Sequence, residues 1–589
     1  MEGTPSEPTA PRSSALIPRP AHSLTLSSGA VFGASLAIQL IGLVGSVFLA
    51  KHIGITPAGQ TLLGTAQLFL LIGSSINGVG DLRLGTAYTY FLARGKPATD
   101  NTTTYLVVGM AMDAAACLVL FVIAPMSLGG SSITHGTSQW FDLGLFLTLP
   151  IFWSFSGLYN NLYIGLGNSL KAQYPSLVEA LARLPVLIYV SYYVHSIEGI
   201  AIAYVVGASA SMVFSLPALL PQLRAFRWVE AVGMFRFAWP LMGSLFINYV
   251  VTNMTPFIVA SLSAAQLSIY LAANGWRILV LSIPGAVTTP LFPYLAGLHQ
   301  RREYEVLRRR TWQALRYSAM LLVPGVVALV TYRYNFLNVF QNRLYAGPGA
   351  LPLAILVVGA LPLALSQIIQ SSINAIGRQR LELYITSTQV AVLLLSVAIL
   401  LPQHGIFPIF WQTVPAKLDP GLVAASVAVL LSSFAALGLN TYFMEKLIRV
   451  HIRPGPIAAI TGSAAGSFGA LWLLNHLSFF PVSTWYQLLS AVAIGFVVYF
   501  AILAAVGELT RNDVRTIGSS IGLPHRLYET LARVCWKESA PDLAPLDRAL
   551  ATGLRSTELP ETFTGTPELP GIDALPPEAP PTSPNEREK

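Results

Sequence analysis

The sequence predicts an all-α integral membrane protein, on the strength of its charge content, its hydropathy and its long apolar segments. Of the 589 residues, 53% are hydrophobic and only 11% are charged, and the mean hydropathy is +0.60. Soluble domains carry roughly 25% charged residues, so the composition excludes an ordinary soluble protein. The hydrophobicity also excludes global disorder. The chain is therefore expected to cross a membrane several times.

Fourteen apolar segments lie between two polar tails. A helix needs about 20 residues to cross the hydrocarbon core. Backbone groups find no water there, so each segment must pair its own backbone as a helix. We therefore expect about 14 transmembrane helices. The segments cover residues 27–50, 61–93, 102–125, 143–165, 174–195, 197–220, 239–262, 267–296, 311–332, 349–376, 382–401, 421–444, 455–477 and 485–507.

The two ends of the chain have a composition that cannot bury a core. Residues 1–26 are rich in proline and small polar residues, and residues 541–589 contain ten prolines and nine acidic residues. Both are predicted to be disordered cytoplasmic tails. The first is not a secretory signal, because no short apolar core follows a basic start. Residues 508–540 are predicted to form an amphipathic cytoplasmic segment.

The distribution of basic residues predicts the orientation. Loops on the side of the N-terminus hold sixteen Lys and Arg residues, and the opposite loops hold four. Cytoplasmic loops carry the excess of Lys and Arg. Both termini are therefore predicted to lie in the cytoplasm of a multi-pass protein of the cell membrane. The net charge of +8 fits loops that touch anionic lipid, so we expect membrane lipids and no nucleic acid as partners.

The order of the segments suggests two halves. A basic loop, 221–238, separates helices 1–6 (27–220) from helices 7–12 (239–445), and helices 13–14 follow over 455–507. Each half has an unusually long second span, and paired odd segments are typical of duplicated transporter lobes.

Several stretches resemble one family of transporters. They are GLVGSVFLAKHIGITPAGQTLLGTAQLFLLIGSSINGVGDLRLGTAYTYFLARG from Gly42, FAWPLMGSLFINYV from Phe237, SIYLAANGWRILVLSIPGAVTTPLFPYLAGL from Ser268, INAIGRQRLEL from Ile373 and GELTRNDVRTI from Gly507. In this order they resemble polysaccharide transporters, the O-antigen and lipid-linked oligosaccharide flippases. These belong to the multidrug/oligosaccharidyl-lipid/polysaccharide exporter superfamily.

The resemblance implies two six-helix lobes around a central cavity, with two further C-terminal helices. It also implies alternating-access transport of a lipid-linked oligosaccharide, the repeat unit of a polysaccharide. Lipid II flippases of the family carry an Arg-Asp pair where this chain has Gly45 and Ser46. That difference favours the O-antigen and capsule flippases over a lipid II flippase.

Charged side chains inside the membrane are the candidate functional residues, since each costs at least about 2.5–3.5 kcal/mol at the bilayer centre. Arg277 lies within the eighth span, and a guanidinium binds phosphate through two hydrogen bonds. It is a candidate to bind the pyrophosphate of the substrate, or to form a structural ion pair with a carboxylate. Asn274 and Trp276 beside it, and Asn248 and Asn253 in the seventh span, are further substrate-binding candidates.

Two aspartates are candidates for coupling to H⁺ or Na⁺. Asp113 lies mid-span without a basic neighbour in sequence, and it could instead pair with Arg83 or Arg277. Asp81 and Arg83 lie late in the second span, and Arg83 is a second candidate for substrate binding. The alternative is that this segment is an ordinary solvated helix end without a functional role. Glu179 and Arg183 are four residues apart, which favours an ion pair within the fifth span.

Several functions remain as alternatives. A Walker A loop and an H-E-x-x-H motif are absent from the sequence, so neither an ATPase nor a zinc protease is indicated, and no cofactor is expected. A cation-coupled multidrug antiporter of the same superfamily is the nearest alternative, and a membrane-embedded glycan-processing enzyme a more distant one. We expect a monomer, with polysaccharide-assembly enzymes as further partners.

Overall fold

The computed structural model describes the apolar body of the chain. The described residues are 22–81, 84–93, 97–128, 137–401, 419–450, 454–476, 482–511, 513–515 and 529–530. The predicted tail 541–589 and most of the predicted amphipathic segment 508–540 lie outside them, as does Arg83. Residues 23–539 belong to one compact unit.

Eighteen helices in the described residues account for the architecture. They are α1 (His22–His52), α2 (Pro57–Gly80), α3 (Leu84–Ala93), α4 (Ala98–Leu128), α5 (Thr137–Leu147), α6 (Leu149–Gly165), α7 (Ser169–Ala172), α8 (Tyr174–Tyr189), α9 (Ile197–Leu219), α10 (Trp228–Leu262), α11 (Ala264–Gln300), α12 (Tyr304–Thr331), α13 (Arg333–Phe340), α14 (Arg343–Ala375), α15 (Gln379–Leu400), α16 (Pro420–Ile448), α17 (Pro454–His476) and α18 (Trp485–Ala505). A π-helical turn, Val190–Val194, extends α8, and a 3₁₀ turn, Leu220–Gln222, follows α9.

The predicted fold class is confirmed, because the described residues contain helices and no strands. Within them, eleven helical segments are long and apolar enough to cross a membrane. Three other long helices, α2, α10 and α11, occupy the positions predicted for the second, seventh and eighth spans. A helix therefore stands at each of the fourteen predicted positions.

Two helices begin inside segments predicted to be a tail and a linker. The first, α1, begins at His22, inside the predicted tail 1–26, because no proline follows Pro20 to interrupt it. The other, α10, begins at Trp228, inside the predicted linker 221–238. The start of α10 is helical because Met234 and Ala238 pack with Tyr88 of α3 in one hydrophobic cluster.

The two overlong spans have different structures. The second is interrupted, since α2 ends at Gly80 and α3 begins at Leu84. Asp81 stands at the interruption, and its carboxylate accepts a hydrogen bond from the backbone N–H of Gly85 in the first turn of α3 at 3.2 Å. The eighth span is one continuous helix, α11.

Some hydrophobic clusters belong to one half of the chain, α1–α9 or α10–α16, and others join the two halves. Phe69 and Phe146 lie in a cluster formed by helices of the first half. The largest cluster contains Leu267, Leu356 and Leu422, and it also takes in Ala50 of α1. The halves therefore meet at the ends of α1, α2 and α11 and at the start of α10, while their assignment as two moving lobes stays a prediction.

The hairpin of α17 and α18 is attached to α12 and α13 at both ends. Near one end the hydroxyl of Tyr332 donates to the carbonyl of Leu471 at 3.1 Å, and the amide of Asn335 donates to the carbonyl of Val482 at 2.7 Å. At the other end the guanidinium of Arg316 binds the carboxylates of Glu508 at 2.7 Å and Asp513 at 2.9 Å. The hairpin is thus held by charge on one side and by neutral hydrogen bonds on the other.

Candidate substrate cavity and buried charged groups

A cavity of about 190 Å³ lies between the two halves. Residues of α1, α2 and α11 line it, together with Gln341 and Tyr345 around the start of α14. Liquid water occupies about 30 Å³ per molecule, so this space equals that of about six waters. It is smaller than the 300–1,000 Å³ typical of ligand pockets. In this conformation the cavity is too small for an oligosaccharide.

The cavity lining mixes apolar and neutral polar residues and carries no charge. Leucine, alanine and glycine alternate there with amides and hydroxyls, namely Gln39, Ser46, Gln67, Ser268, Gln341 and Tyr345. The side-chain oxygens of Gln67 and Gln341 are buried and accept no hydrogen bond in the described part of the chain. Such groups suit an uncharged ligand rich in hydroxyls, or water.

Arg277 lies on another face of α11 from the cavity. Leu271, Gly275 and Ile278 line the cavity at helical spacing, and Arg277 is not among the lining residues. Its guanidinium donates to the side-chain oxygen of Asn274 at 3.0 Å, while its Nε finds no acceptor. Among the described residues no carboxylate lies within 4 Å of it. The structural ion pair considered for Arg277 is therefore not seen in this part of the chain.

The remaining substrate candidates lie in different surroundings. The ring of Trp276 is 4% exposed and packs at 4.8 Å from the ring of Phe336, so it belongs to the core in this conformation. Asn253 donates to the carbonyl of Tyr249 one turn before it in α10. The side chain of Asn248 and the whole of Arg83 are outside the described residues. Substrate contact by these residues stays a prediction.

Asp113 is a buried carboxylate between α4 and α6. The hydroxyl of Ser154 donates to one carboxylate oxygen at 2.6 Å, and the other oxygen accepts no hydrogen bond. Among the described residues no basic side chain lies within 4 Å of it. The charged neighbour that acts on it is the carboxylate of Asp81. The alternative of pairing with Arg277 is not seen.

Asp81 lies at the α2–α3 interruption in a hydrogen-bonded network. The hydroxyl of Tyr105 donates to its carboxylate at 2.5 Å, and the amide of Asn161 donates to Tyr105 at 3.2 Å. The sequence alone does not indicate Ser154, Tyr105 and Asn161, because these residues of α4 and α6 meet Asp81 and Asp113 only in the folded chain. The one signal in the sequence for these three residues is that each is a polar residue within an apolar segment.

The predicted pair in the fifth span is present. Arg183 binds Glu179 at 3.2 Å, with the two side chains 16% and 15% exposed. The guanidinium also lies over the ring of Tyr204, at 4.5 Å from its centre. A partly buried charge pair with a cation–π contact is a neutralised structural unit, unlike Arg277.

Comparison with known proteins gives a family match and a fold. The model of a family described as "Polysaccharide biosynthesis protein" matches residues 170–346. Comparison with curated proteins returns no match.

Solved structures of transporters match most of the chain. The lipid II flippase MurJ in an inward closed conformation covers 80% of this chain and 98% of its own, with a TM-score of 0.62 and 13% identity. A multidrug resistance MATE family transporter of the MOP superfamily, inward-facing, covers 71% of this chain and 98% of its own, with a TM-score of 0.55 and 13% identity. A mutant of the Vibrio cholerae MATE transporter VcmN covers 73% and 98%, with a TM-score of 0.53 and 16% identity. The chain has the fold of these transporters, so the predicted resemblance is confirmed.

The different surroundings of the two intramembrane arginines predict opposite effects on stability. Replacing Arg183 with Ala leaves Glu179 buried without its partner, which should cost about 3–5 kcal/mol. Replacing Arg277 with Ala removes a charge without a carboxylate partner, so stability should stay the same or rise. The measurement is the apparent Tm of each variant in detergent. An Arg277→Ala variant as unstable as Arg183→Ala would indicate a carboxylate partner outside the described residues.

Proposed function

We propose that this chain, which has the fold of the MOP-superfamily transporters, is a flippase that moves a lipid-linked oligosaccharide across the cell membrane by alternating access. The polysaccharide biosynthesis family match supports a glycan substrate. The observation that carries the proposal is Arg277, a cation deep in α11 with one neutral hydrogen-bond partner. A membrane protein keeps such a charge at a cost, and a pyrophosphate that binds transiently would offset it.

The substrate must meet Arg277 in a conformation other than the one described. The cavity is small here, and Arg277 lies on another face of α11. Movement of one half against the other would enlarge the cavity and present new faces of α11, as duplicated transporters do around a central site. The neutral lining then suits the sugars, and Arg277 suits the pyrophosphate. We propose no enzymatic activity.

Transport should depend on the charge and the planar shape of Arg277. Cells that lack the protein should accumulate the lipid-linked oligosaccharide on the inner leaflet, where a lectin added outside cannot bind it. Arg277→Ala should reproduce this accumulation at normal expression. Arg277→Lys, which keeps the charge but loses the fork geometry, should restore only part of the export.

Normal outward exposure of the glycan in cells without the protein would exclude the flippase proposal. Full export by a well-expressed Arg277→Ala variant would leave the proposal standing but move the pyrophosphate contact elsewhere.

The energy source we propose is a gradient of H⁺ or Na⁺, used through Asp113 with Asp81 close by. A buried carboxylate without a basic neighbour can take up and release a cation. The same observation favours the second candidate function, a cation-coupled multidrug antiporter, because such a transporter needs a carboxylate more than an arginine.

One variant separates these roles of Asp113. Asp113→Asn keeps the shape and the Ser154 contact but cannot titrate, so glycan export should fall at least tenfold with expression unchanged. Efflux of the cationic dye ethidium should be absent from the wild-type protein if it is a flippase. Ethidium efflux that Asp113→Asn abolishes would instead identify an antiporter, and unchanged glycan export in Asp113→Asn would remove Asp113 from coupling.

We also propose that both termini lie in the cytoplasm and that the protein works as a monomer. The excess of Lys and Arg in one set of loops supports the orientation. Reporter fusions at the N-terminus and after Asp513 should both report the cytoplasm. One terminus on the outer side would require an odd number of crossings and contradict fourteen spans.

A further inference from the structure

Hydrogen bonds between the two halves cross the end of the cavity that the proposed topology places on the outer side. The side-chain amide of Asn342 donates to the carbonyl of Ala50 at 2.8 Å and to the carbonyl of Gly54 at 3.1 Å. Ala50 and Gly54 lie at the end of α1 in the first half, and Asn342 precedes α14 in the second. The neighbours of Asn342, Gln341 and Tyr345, line the cavity itself. The contact therefore closes the cavity at this end.

Asn342 satisfies the ends of two helices with one side chain. Its oxygen accepts from the backbone N–H of Leu344 at 2.9 Å and so caps the start of α14. Its nitrogen donates to carbonyls at the C-terminal end of α1, which have no partner within their own helix. An asparagine can do both, because its side-chain amide is both donor and acceptor. Separation of the two helices would leave these carbonyls to water.

Two glycines bring the halves into close contact beside this residue. A Cβ at Gly64 of α2 would lie 1.7 Å from the carbonyl oxygen of Ala264 at the start of α11. A Cβ at Gly54 would lie 2.6 Å from the hydroxyl of Tyr345. Neither glycine has a positive φ, so alanine is allowed by the backbone. Glycine is required at these positions because neighbouring atoms lie too close for a Cβ. At Gly64 the neighbouring atom belongs to the other half.

We propose that Asn342, Gly54 and Gly64 form the outer gate of the transporter, a contact that must open for the cavity to reach the outer side. This inference rests on the proposed alternating-access function and names the contact that controls one of its steps. The gate is polar and backbone-mediated. When it opens, water can replace each of its hydrogen bonds.

The test measures access to the cavity from outside and needs no substrate. Cys117 and Cys535 are first replaced with Ala, and Ala272 of the cavity lining is replaced with Cys as a reporter. A membrane-impermeant maleimide is then added to intact cells, and the rate of labelling is measured. Gly64→Ala should raise the rate at least tenfold, because the added methyl group holds α2 and α11 apart. Asn342→Ala should raise it roughly tenfold, since two hydrogen bonds between the halves are lost.

Gly42→Ala is the matched control. Gly42 also lines the cavity, but a Cβ there meets nothing within 4 Å, so the labelling rate should not change. Labelling after denaturation confirms equal amounts of protein. If Gly64→Ala does not accumulate, Asn342→Ala tests the gate on its own. Rates for both variants equal to that of Gly42→Ala would overturn the proposal.

The outcome is independent of the flippase proposal. If the gate variants are labelled faster but the protein exports no glycan, the gate proposal stands and the proposed substrate is rejected. If labelling is unchanged but export depends on Arg277, the flippase proposal stands and the gate proposal is rejected.

Discussion

The hydrocarbon core supplies no hydrogen-bonding partners, and this single constraint organises the structure. Each backbone group must pair within a helix, so the described chain is helical throughout its apolar segments. Each polar side chain must find another polar group or remain unsatisfied at a cost. Arg183 meets Glu179, Ser154 meets Asp113, and Asn342 meets the last carbonyls of α1. The first pairing lies within α8, and the other two join different helices.

The same constraint separates structural charges from functional ones. Arg316 is bound by Glu508 and Asp513 and attaches the segment after α18 to α12. Replacing Arg316 would leave these two carboxylates without their partner, so the role of Arg316 is structural. Arg277 and Asp113 have only neutral hydrogen-bond partners in the described chain. Ionisable groups without a fixed counter-ion are the ones available to a ligand or a moving ion.

The contacts between the halves differ at their two ends. Toward the end of α1 and the start of α14 they are hydrogen bonds and close backbone contacts around Asn342 and Gly64. Toward the start of α10, Met234 and Ala238 pack into an apolar cluster with Tyr88. A polar contact can exchange its partners for water, whereas an apolar one must expose surface to it. The two ends are therefore expected to open at different costs, which suits a transporter that opens one side at a time.

The sequence by itself determined the fold class, the presence of helix at the fourteen predicted spans and the Glu179–Arg183 pair, because hydropathy and helical spacing are local properties. It also identified Asp113 and Arg277 as unusual, since a charge in an apolar run needs no structure to be noticed. Only the tertiary structure decided that Asp113 meets Ser154, that Trp276 packs against Phe336 and that Asn342 reaches Ala50. Those contacts join residues far apart in the chain, and single-sequence patterns carry no information about which helix faces which.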